Sequence, residues 1–380
     1  MTADCLPRRF FLLTVFAMAA LGFLASACTG VVSPEGWASP VLDDDLLLVA
    51  HRKELFALDP VTLTERWAFP SDRDDDDVNA VALYGDPAML GDTIFVPGYD
   101  GTLFALERET GNISSLFEEA DGPLIGGVAV GQDTVYFGSS DGKVYAVGVD
   151  GAEAWRQPFE TGDGVWSTPT LAGDTLYVTS LDGHLYALDA ETGSERWSYE
   201  ADAGIVSPPV VNEEAGLVYV GGLDSHLRAI DVETHEERWA LQADNWFWTR
   251  PLVEDGVLYA GSLDGNVYAV DALTGEPRWT QPFETEAPVR AAPVIAAGVL
   301  FVADRDGNIY GIELEDGLEA FATPLALDDE VLADLLLRAA PSTDDDVSSQ
   351  EVVVVTTAGE LTRIDPETLR AIERVDVTRS

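Results

Sequence analysis

The chain has 380 residues, of which 46% are hydrophobic and 9% aromatic, and its formal net charge at pH 7 is −47. This apolar content excludes a chain that is disordered over most of its length, and the charge disfavours binding to nucleic acid or anionic lipid headgroups. Both cysteines, Cys5 and Cys28, lie near the N-terminus, so the sequence beyond them offers no disulfide, cysteine metal site or cysteine nucleophile.

The first 27 residues have the features of an export signal. Two arginines precede an apolar run over residues 10–25, and small residues then lead to Cys28. We therefore predict a signal peptide over residues 1–27. An uncleaved anchor helix is the alternative.

Residues 24–28, LASAC, resemble a lipobox. The resemblance implies cleavage before Cys28 and acylation of that residue, which would hold the protein on the extracytoplasmic side of a membrane with residues 28–38 as a tether. Residues 8–12, RRFFL, also resemble a twin-arginine signal, so the general and the twin-arginine export routes both stay open.

Acidic runs occur at residues 43–45, 74–77 and 344–346. Charge runs of this kind are usually solvated surface loops. A docking face for a basic partner is the alternative interpretation.

A repeat of about 41 residues covers most of the chain. Residues 182–197 and 264–279 are clear copies, each with an Asp-Gly pair, an apolar alternation, a Thr-Gly pair and a tryptophan. Degenerate copies at residues 53–67 and 359–365 flank six units that are in register, which gives eight units. The hairpin position of the six units holds Gly101, Gly142, Gly183, Ser225, Gly265 and Gly307.

A second marker gives the same count, because a proline or its equivalent opens each unit. These opening residues are Pro40, Pro87, Val128, Pro169, Pro209, Pro251, Pro293 and Pro341. Within a unit, period-2 alternation and turn residues predict four antiparallel strands, with a tight hairpin at the Asp-Gly pair. A single sheet of this kind exposes two apolar faces, and a closed ring of them leaves no free edge. We predict an all-β fold: an eight-bladed β-propeller of four-stranded antiparallel blades over residues 39–380.

The spacing Ala-x-Asp-x-x-Thr-Gly-x-x-x-Trp is complete in residues 187–197 and 269–279. It resembles the tryptophan-docking motif of propellers built from pyrroloquinoline-quinone (PQQ) repeats. The resemblance implies that the repeated tryptophans form a structural girdle between blades and not a ligand cage. These residues are Trp67, Trp155, Trp197, Trp239 and Trp279.

No pattern in the sequence indicates a catalytic centre, a cofactor or a metal ion. The four histidines have no metal-ligand spacing and form no adjacent pair, and the hairpin aspartates are typical turn residues. Quinoprotein dehydrogenases share the repeat and bind PQQ with calcium, often beneath an adjacent-cysteine disulfide, and this chain has no such pair beyond Cys28. We predict a protein that is not an enzyme and has no cofactor, with a PQQ-dependent dehydrogenase as the alternative.

The position three residues before each opening residue is predicted to form a ring around one mouth of the central channel. Its members are Trp37, Tyr84, Ile125, Trp166, Val206, Trp248, Arg290 and Arg338, with Trp246 and Phe247 beside them. Aromatic residues and arginine supply much of the energy of protein interfaces. Packing of the blade entrances is the alternative role for this ring.

These features favour a lipid-anchored scaffold of the cell envelope that binds a protein or peptide partner as a monomer. Among lipid-anchored PQQ-repeat propellers, the chain resembles the BamB-like subunits of outer-membrane β-barrel assembly. A propeller that senses a small ligand at its channel mouth is a further alternative.

Overall fold

The described residues form four-stranded antiparallel sheets, each made from four consecutive strands. A computed structural model describes residues 36–43, 45–70, 82–339 and 350–378. No helix within these ranges has the length and apolar character needed to cross a membrane. The predicted signal peptide and Cys28 lie outside the described residues.

The first four blades contain strands β1 to β16. Their bounds are β1 Val41–Asp43, β2 Leu46–His51, β3 Glu54–Leu58, β4 Glu65–Phe69, β5 Ala88–Leu90, β6 Thr93–Pro97, β7 Leu103–Glu107, β8 Ile113–Phe117, β9 Val128–Val130, β10 Thr134–Gly138, β11 Lys143–Gly148, β12 Phe159–Glu160, β13 Thr170–Ala172, β14 Thr175–Thr179, β15 His184–Asp189 and β16 Glu195–Glu200.

Blades 5 to 8 contain strands β17 to β32. Their bounds are β17 Val210–Asn212, β18 Leu217–Gly221, β19 His226–Asp231, β20 Glu237–Gln242, β21 Leu252–Glu254, β22 Val257–Gly261, β23 Asn266–Asp271, β24 Phe283–Glu284, β25 Val294–Ala296, β26 Val299–Ala303, β27 Asn308–Glu313, β28 Leu325–Ala326, β29 Leu336–Ala339, β30 Gln350–Val355, β31 Glu360–Asp365 and β32 Arg370–Asp376.

The blades close into a ring through their apolar faces. Within the described residues, eight hydrophobic clusters each join two neighbouring blades. The cluster that contains Leu58 of blade 1 and Val353 of blade 8 closes the circle. Strands β1 and β29, the first strands of these two blades, are also in contact. The prediction of an eight-bladed propeller is confirmed.

Antiparallel connectivity gives the ring two distinct faces. The hairpin between the second and third strands of a blade lies at the same end as the link that enters the next blade. We call this end the mouth face; the other two turns of each blade lie on the opposite face. Gly183, in the β14–β15 hairpin, has a φ of 91°, a left-handed conformation that glycine adopts at low cost.

Most of the repeated tryptophans pack across the seam between two blades. The indole Nε1 of Trp239 in blade 5 donates to the carbonyl of Ala272 in blade 6, at 3.0 Å. A Cβ placed on Gly275 would lie 2.8 Å from the Trp239 ring, so only glycine allows this approach. The same arrangement of indole, carbonyl and glycine occurs for Trp67, Trp155 and Trp279.

Trp197 packs differently, because the next blade has histidine where the motif has glycine. Its ring stacks on His235 with the centroids 4.9 Å apart and the planes 13° apart. His235 itself takes a positive φ of 62°. Stacking therefore replaces the docking hydrogen bond at this seam.

The fourth strand is only two residues long in blades 3, 6 and 7. A proline precedes each of these strands directly, at Pro158, Pro282 and Pro324. Proline has no N–H to donate to the neighbouring strand, which interrupts the ladder after the tryptophan position. The fourth strand is longer in blades 4 and 5, where Trp197 and Trp239 lie inside β16 and β20.

Candidate functional site

The mouth face contains a cavity of about 80 Å³ at the centre of the ring. Seven of the eight positions that the sequence assigns to the mouth line this cavity. They are Trp37, Tyr84, Ile125, Trp166, Val206, Trp248 and Arg290. Each lies in the link that leads into the first strand of a blade, so the repeat places them on a common circle.

Arg338 does not belong to this circle. It lies on β29, is 4% exposed, and has the carboxylate of Glu351 3.5 Å from its guanidinium. Leu332 takes the corresponding place at the cavity. The prediction that Pro341 opens blade 8 is wrong, because Pro341 follows the first strand of that blade. Leu335 occupies the opening position instead.

Arg338 belongs instead to a line of alternating charges across blade 8. Glu351 on β30 accepts hydrogen bonds from Arg363 on β31 at 2.8 Å, and Arg363 also reaches Glu373 on β32 at 2.7 Å. Arg363 stands at the alanine position of the docking motif and Glu373 at its tryptophan position. An ion pair therefore replaces the Ala–Trp contact in this blade.

Phe247 and Trp246 are neighbours in sequence with opposite environments. Phe247 is 1% exposed and packs edge-on against Tyr268, with the ring centroids 5.5 Å apart, so it belongs to the core. Trp246 is 41% exposed on the mouth face. Trp166 is 36% exposed at the cavity, and its Nε1 donates to Ser140 Oγ at 3.1 Å. Two tryptophans are thus open to solvent on this face.

Arg290 makes cation–π contacts with two indole rings. Its guanidinium carbon lies 4.1 Å from the centroid of the Trp37 ring and 4.9 Å from that of Trp248. Burial lowers the pKa of Arg290 to about 10, and the charge of Arg305 acts in the same direction. Two cation–π contacts compensate part of this desolvation and fix the plane of the guanidinium.

The aromatic wall continues from Trp37 into blade 2. Tyr84 meets Trp37 edge-on with the centroids 4.2 Å apart, and Tyr99 lies 5.1 Å from Tyr84. Tyr99 is in the β6–β7 hairpin and is exposed. The stack from Trp248 through Arg290 to Tyr99 therefore connects the cavity to the outer surface of the mouth face.

A second circle of residues lies two positions after the first and carries hydrogen bonds from blade to blade. The N–H of Ser39 donates to Asp86 Oδ1 at 2.6 Å, and that of Gly127 donates to Thr168 Oγ1 at 2.8 Å. The N–H of Asp334 donates to Ser39 Oγ at 3.2 Å, which crosses from blade 8 to blade 1. These bonds connect equivalent positions of successive blades and include the closing seam.

Asp334 is the most perturbed acid of this circle. Burial raises its pKa to about 6, and the neighbouring charge of Asp86 acts in the same direction. Its Oδ1 accepts the N–H of Ala292 at 2.7 Å, and the positive charges of Arg250 and Arg290 also favour the ionised form. Asp86, Arg250 and Asp334 all line the cavity.

The sequence prediction missed Arg250, Asp86 and Asp334. For Asp86 and Arg250 the signal was present, since each stands directly before an opening residue of the repeat. For Asp334 it was absent, because the sequence places the opening residue of blade 8 at Pro341. The residue type at this repeat position varies from blade to blade, so the position forms no recognisable sequence motif. Only closure of the ring brings blades 6, 7, 8, 1 and 2 around one space and puts these charges together.

Below the mouth, the first strands of the blades line a larger space in the central channel. Strands β13, β17 and β21 border a volume of about 790 Å³, and their side chains there are mainly aliphatic. Arg250 borders both this channel and the mouth cavity.

Turn geometry accounts for the aspartates of the hairpins. Asp182 Oδ1 accepts the N–H of His184 at 2.9 Å, and its Oδ2 accepts the hydroxyl of Tyr186 at 2.7 Å. The same two contacts occur at Asp264. Across the described ranges, no group of three or more His, Cys, Asp or Glu side chains is arranged to hold a metal ion.

Comparison with known proteins gives a consistent result. The family model described as "Outer membrane protein assembly factor BamB" matches residues 25–150, 141–246 and 243–379. A curated protein of that name from Burkholderia pseudomallei (strain K96243) is 26% identical over 113 residues. The aligned segment covers 30% of this chain and only 29% of that relative.

Two solved structures have the same fold. BamB from Moraxella catarrhalis superposes with a TM-score of 0.67 at 17% identity, over 84% of this chain and 93% of that one. The computationally designed Ika8 protein gives a TM-score of 0.68 at 14% identity, over 89% and 98% of the two chains. At these identities the structural likeness concerns the fold alone.

Proposed function

Because this chain belongs to the family of outer membrane protein assembly factor BamB, we propose that it is an extracytoplasmic, lipid-anchored scaffold that binds a protein partner in the cell envelope. The name of the family describes assembly of outer membrane proteins, which supports a protein partner. The lipobox-like residues before Cys28 support anchoring. A rigid ring presenting links and hairpins on one face suits recognition.

The observation that carries the proposal is the exposure of Trp166 and Trp246 on the mouth face. Large aromatic side chains are costly to leave in water, and they are the residues that most often dominate binding energy at interfaces. Beside them, Tyr99 and the stacked Arg290 extend the same surface. We propose that this surface receives the partner.

A binding role accounts for these residues better than catalysis does. Of the charged side chains at the mouth, Asp86 and Asp334 accept hydrogen bonds from neighbouring blades and Arg290 lies over two indole rings. The family name supports an assembly factor. We therefore propose that the protein acts by binding and is not an enzyme.

Affinity capture from cells tests the mouth face. We expect the double variant Trp166→Ala with Trp246→Ala to lose at least tenfold of the captured partner. The matched control is Leu273→Ala with Leu318→Ala, which removes two exposed apolar side chains, 55% and 61% accessible, from the opposite face. We expect the control to capture as the wild type does. Equal capture by both double variants would contradict the proposal.

Fractionation tests the anchor separately. The Cys28→Ser variant removes the thiol that would be acylated, and we expect it to leave the membrane fraction and appear in the soluble extracytoplasmic fraction. Retention of this variant on membranes would argue against a lipid anchor at Cys28 without bearing on the mouth face.

A further inference from the structure

Four charged side chains line the mouth cavity, two of each sign. Arg250 and Arg290 come from the links into blades 6 and 7, and Asp86 and Asp334 come from those into blades 2 and 8. Both arginines influence the pKa of Asp334, yet neither forms an ion pair with it or with Asp86 within the described part of the chain. Opposite charges therefore face the same small space without contacting each other.

The two arginines retain their hydrogen-bonding capacity. The guanidinium carbon of Arg290 lies over the indole rings of Trp37 and Trp248, and the residue lines the cavity. Neither Arg290 nor Arg250 donates a hydrogen bond in the ranges that the structure describes. A guanidinium presents N–H donors in a planar fork that matches a carboxylate.

The two aspartates retain acceptor capacity in the same way. Oδ1 of Asp86 takes the N–H of Ser39, and Oδ1 of Asp334 takes that of Ala292. The Oδ2 atom of each accepts no hydrogen bond from the described residues. Asp86 and Asp334 both contact Ser39, and the negative charge of Asp86 raises the pKa of Asp334. A positive group between them would relieve this repulsion.

We propose that the mouth cavity binds a small zwitterion of the α-amino acid class, with its carboxylate on Arg250 and Arg290 and its ammonium on Asp86 and Asp334. This goes beyond the proposed scaffold function. An anion without a positive group would pair only with the two arginines, and a cation without a negative group would pair only with the two aspartates. A dianionic phosphate is disfavoured because two carboxylates share the space.

Cavity size limits the ligand. A water-sized group occupies roughly 10 to 15 Å³ on the scale used for such cavities, so the space of about 80 Å³ holds about six non-hydrogen atoms. Glycine, alanine and serine have between about five and seven such atoms. Larger side chains would have to extend between Trp166 and the open mouth.

Calorimetric titration of the purified mature protein with glycine, L-alanine and L-serine tests the inference. We expect saturable binding of at least one of them. Propionate lacks the ammonium group of alanine and ethylamine lacks its carboxylate, so we expect both to bind at least tenfold more weakly than L-alanine. The absence of saturable binding by all three amino acids, or equal binding of propionate and L-alanine, would overturn the inference.

Two substitutions assign the groups. Arg290→Lys keeps the charge and loses the planar fork, and Asp334→Asn keeps an acceptor for Ala292 and loses the charge. We expect each to weaken binding at least tenfold, and to abolish the change in tryptophan fluorescence that a ligand beside Trp37 and Trp248 would cause. Arg278→Lys, at an exposed ion pair with Asp271 on the opposite face, is the matched control and should bind as the wild type does.

Thermal unfolding of each variant distinguishes loss of the site from loss of the fold. A folded Arg290→Lys protein with unchanged affinity would overturn the inference. Partner capture is measured without added amino acid, so the two proposals fail separately. A wild-type protein that binds alanine but captures no partner counts against the scaffold function alone, and one that captures a partner but binds no amino acid counts against the zwitterion site alone.

Discussion

The seam between blades 5 and 6 and the seam between blades 8 and 1 are joined in different ways. At the seam between blades 5 and 6, Trp239 covers Gly275 and donates a hydrogen bond to Ala272. At the seam between blades 8 and 1, the corresponding positions are Glu373 and Leu63. There the aliphatic cluster around Leu63 and Val353 closes the ring, together with the hydrogen bond from Asp334 to Ser39.

The difference shows that one architecture tolerates two ways of joining its blades. Docking concentrates the contact in one indole and one glycine. The closing seam distributes it over many aliphatic side chains and a polar circle at the mouth. Substitutions of the tryptophan or glycine at a docked seam should therefore strongly lower the free energy of unfolding. At the closing seam, the main changes should come from substitution of the polar residues that also line the cavity.

The largest expected effect comes from Trp239→Ala. Removing this buried indole takes away its packing and its hydrogen bond and leaves a cavity, which typically costs 3–5 kcal/mol of unfolding free energy. Trp246→Ala removes an exposed indole and should change stability by about 0.5 kcal/mol or less. Urea denaturation of both variants measures the contrast. Similar losses of unfolding free energy in the two variants would mean that tryptophan docking does not stabilise the contact between the blades.

The next effect tests the glycine side of the dock. Gly275 and Gly256 both have positive φ, 72° and 77°, but a Cβ meets the Trp239 ring at Gly275 and nothing within 4 Å at Gly256. We expect Gly256→Ala to cost about 1 kcal/mol from backbone strain. Gly275→Ala should cost about 1–3 kcal/mol more, because the indole must move. Equal losses of unfolding free energy for Gly275→Ala and Gly256→Ala would contradict a steric clash between the added Cβ and the Trp239 ring.

At the closing seam the prediction concerns pH. Asp334 has a pKa of about 6 in the folded protein, against an ordinary value of 3.8, so the native state keeps a proton that the unfolded state releases. Stability from this group is therefore complete below about pH 4 and is lost as pH rises to about 6. As pH rises across that interval, Asp334→Asn should gain about 3 kcal/mol of unfolding free energy relative to wild type. A difference that does not vary with pH would contradict this.

The smallest effect separates the two modes of tryptophan packing. Trp239→Phe loses the hydrogen bond to Ala272, whereas Trp197 stacks on His235 without donating from its indole in the described structure. We expect Trp239→Phe to cost about 1 kcal/mol more than Trp197→Phe. Matched denaturation curves at one pH would detect this, and a larger loss for Trp197→Phe would reverse the assignment.

Much of the fold could be predicted because the repeat itself is the unit of structure. The hairpin glycines and opening prolines gave the number of blades, and the phase they share brought seven residues to one mouth. Blade 8 was misplaced because Pro341 resembles an opening residue but follows β29. A proline marks a local backbone preference, and the start of a strand depends also on which side chains the neighbouring blades bury.

The charged cavity was beyond sequence reasoning for a different reason. Asp86, Arg250 and Asp334 stand at one repeat position that elsewhere holds serine, glycine, threonine, proline or alanine. Their pairing depends on distances across the ring between residues up to about 250 positions apart, which no local pattern encodes. The exposure of Trp246 and the burial of Phe247 likewise follow from the path of one link.

Site-specific photocrosslinking in intact cells tests the central claim most directly. A photoreactive amino acid is placed at Trp166 or Trp246 on the mouth face, and at Leu273 or Leu318 on the opposite face. If the mouth face receives the partner, the first two positions give a crosslink to the same envelope protein and the other two give none. Crosslinks from Leu273 and Leu318 alone, or equally from all four positions, would contradict the account.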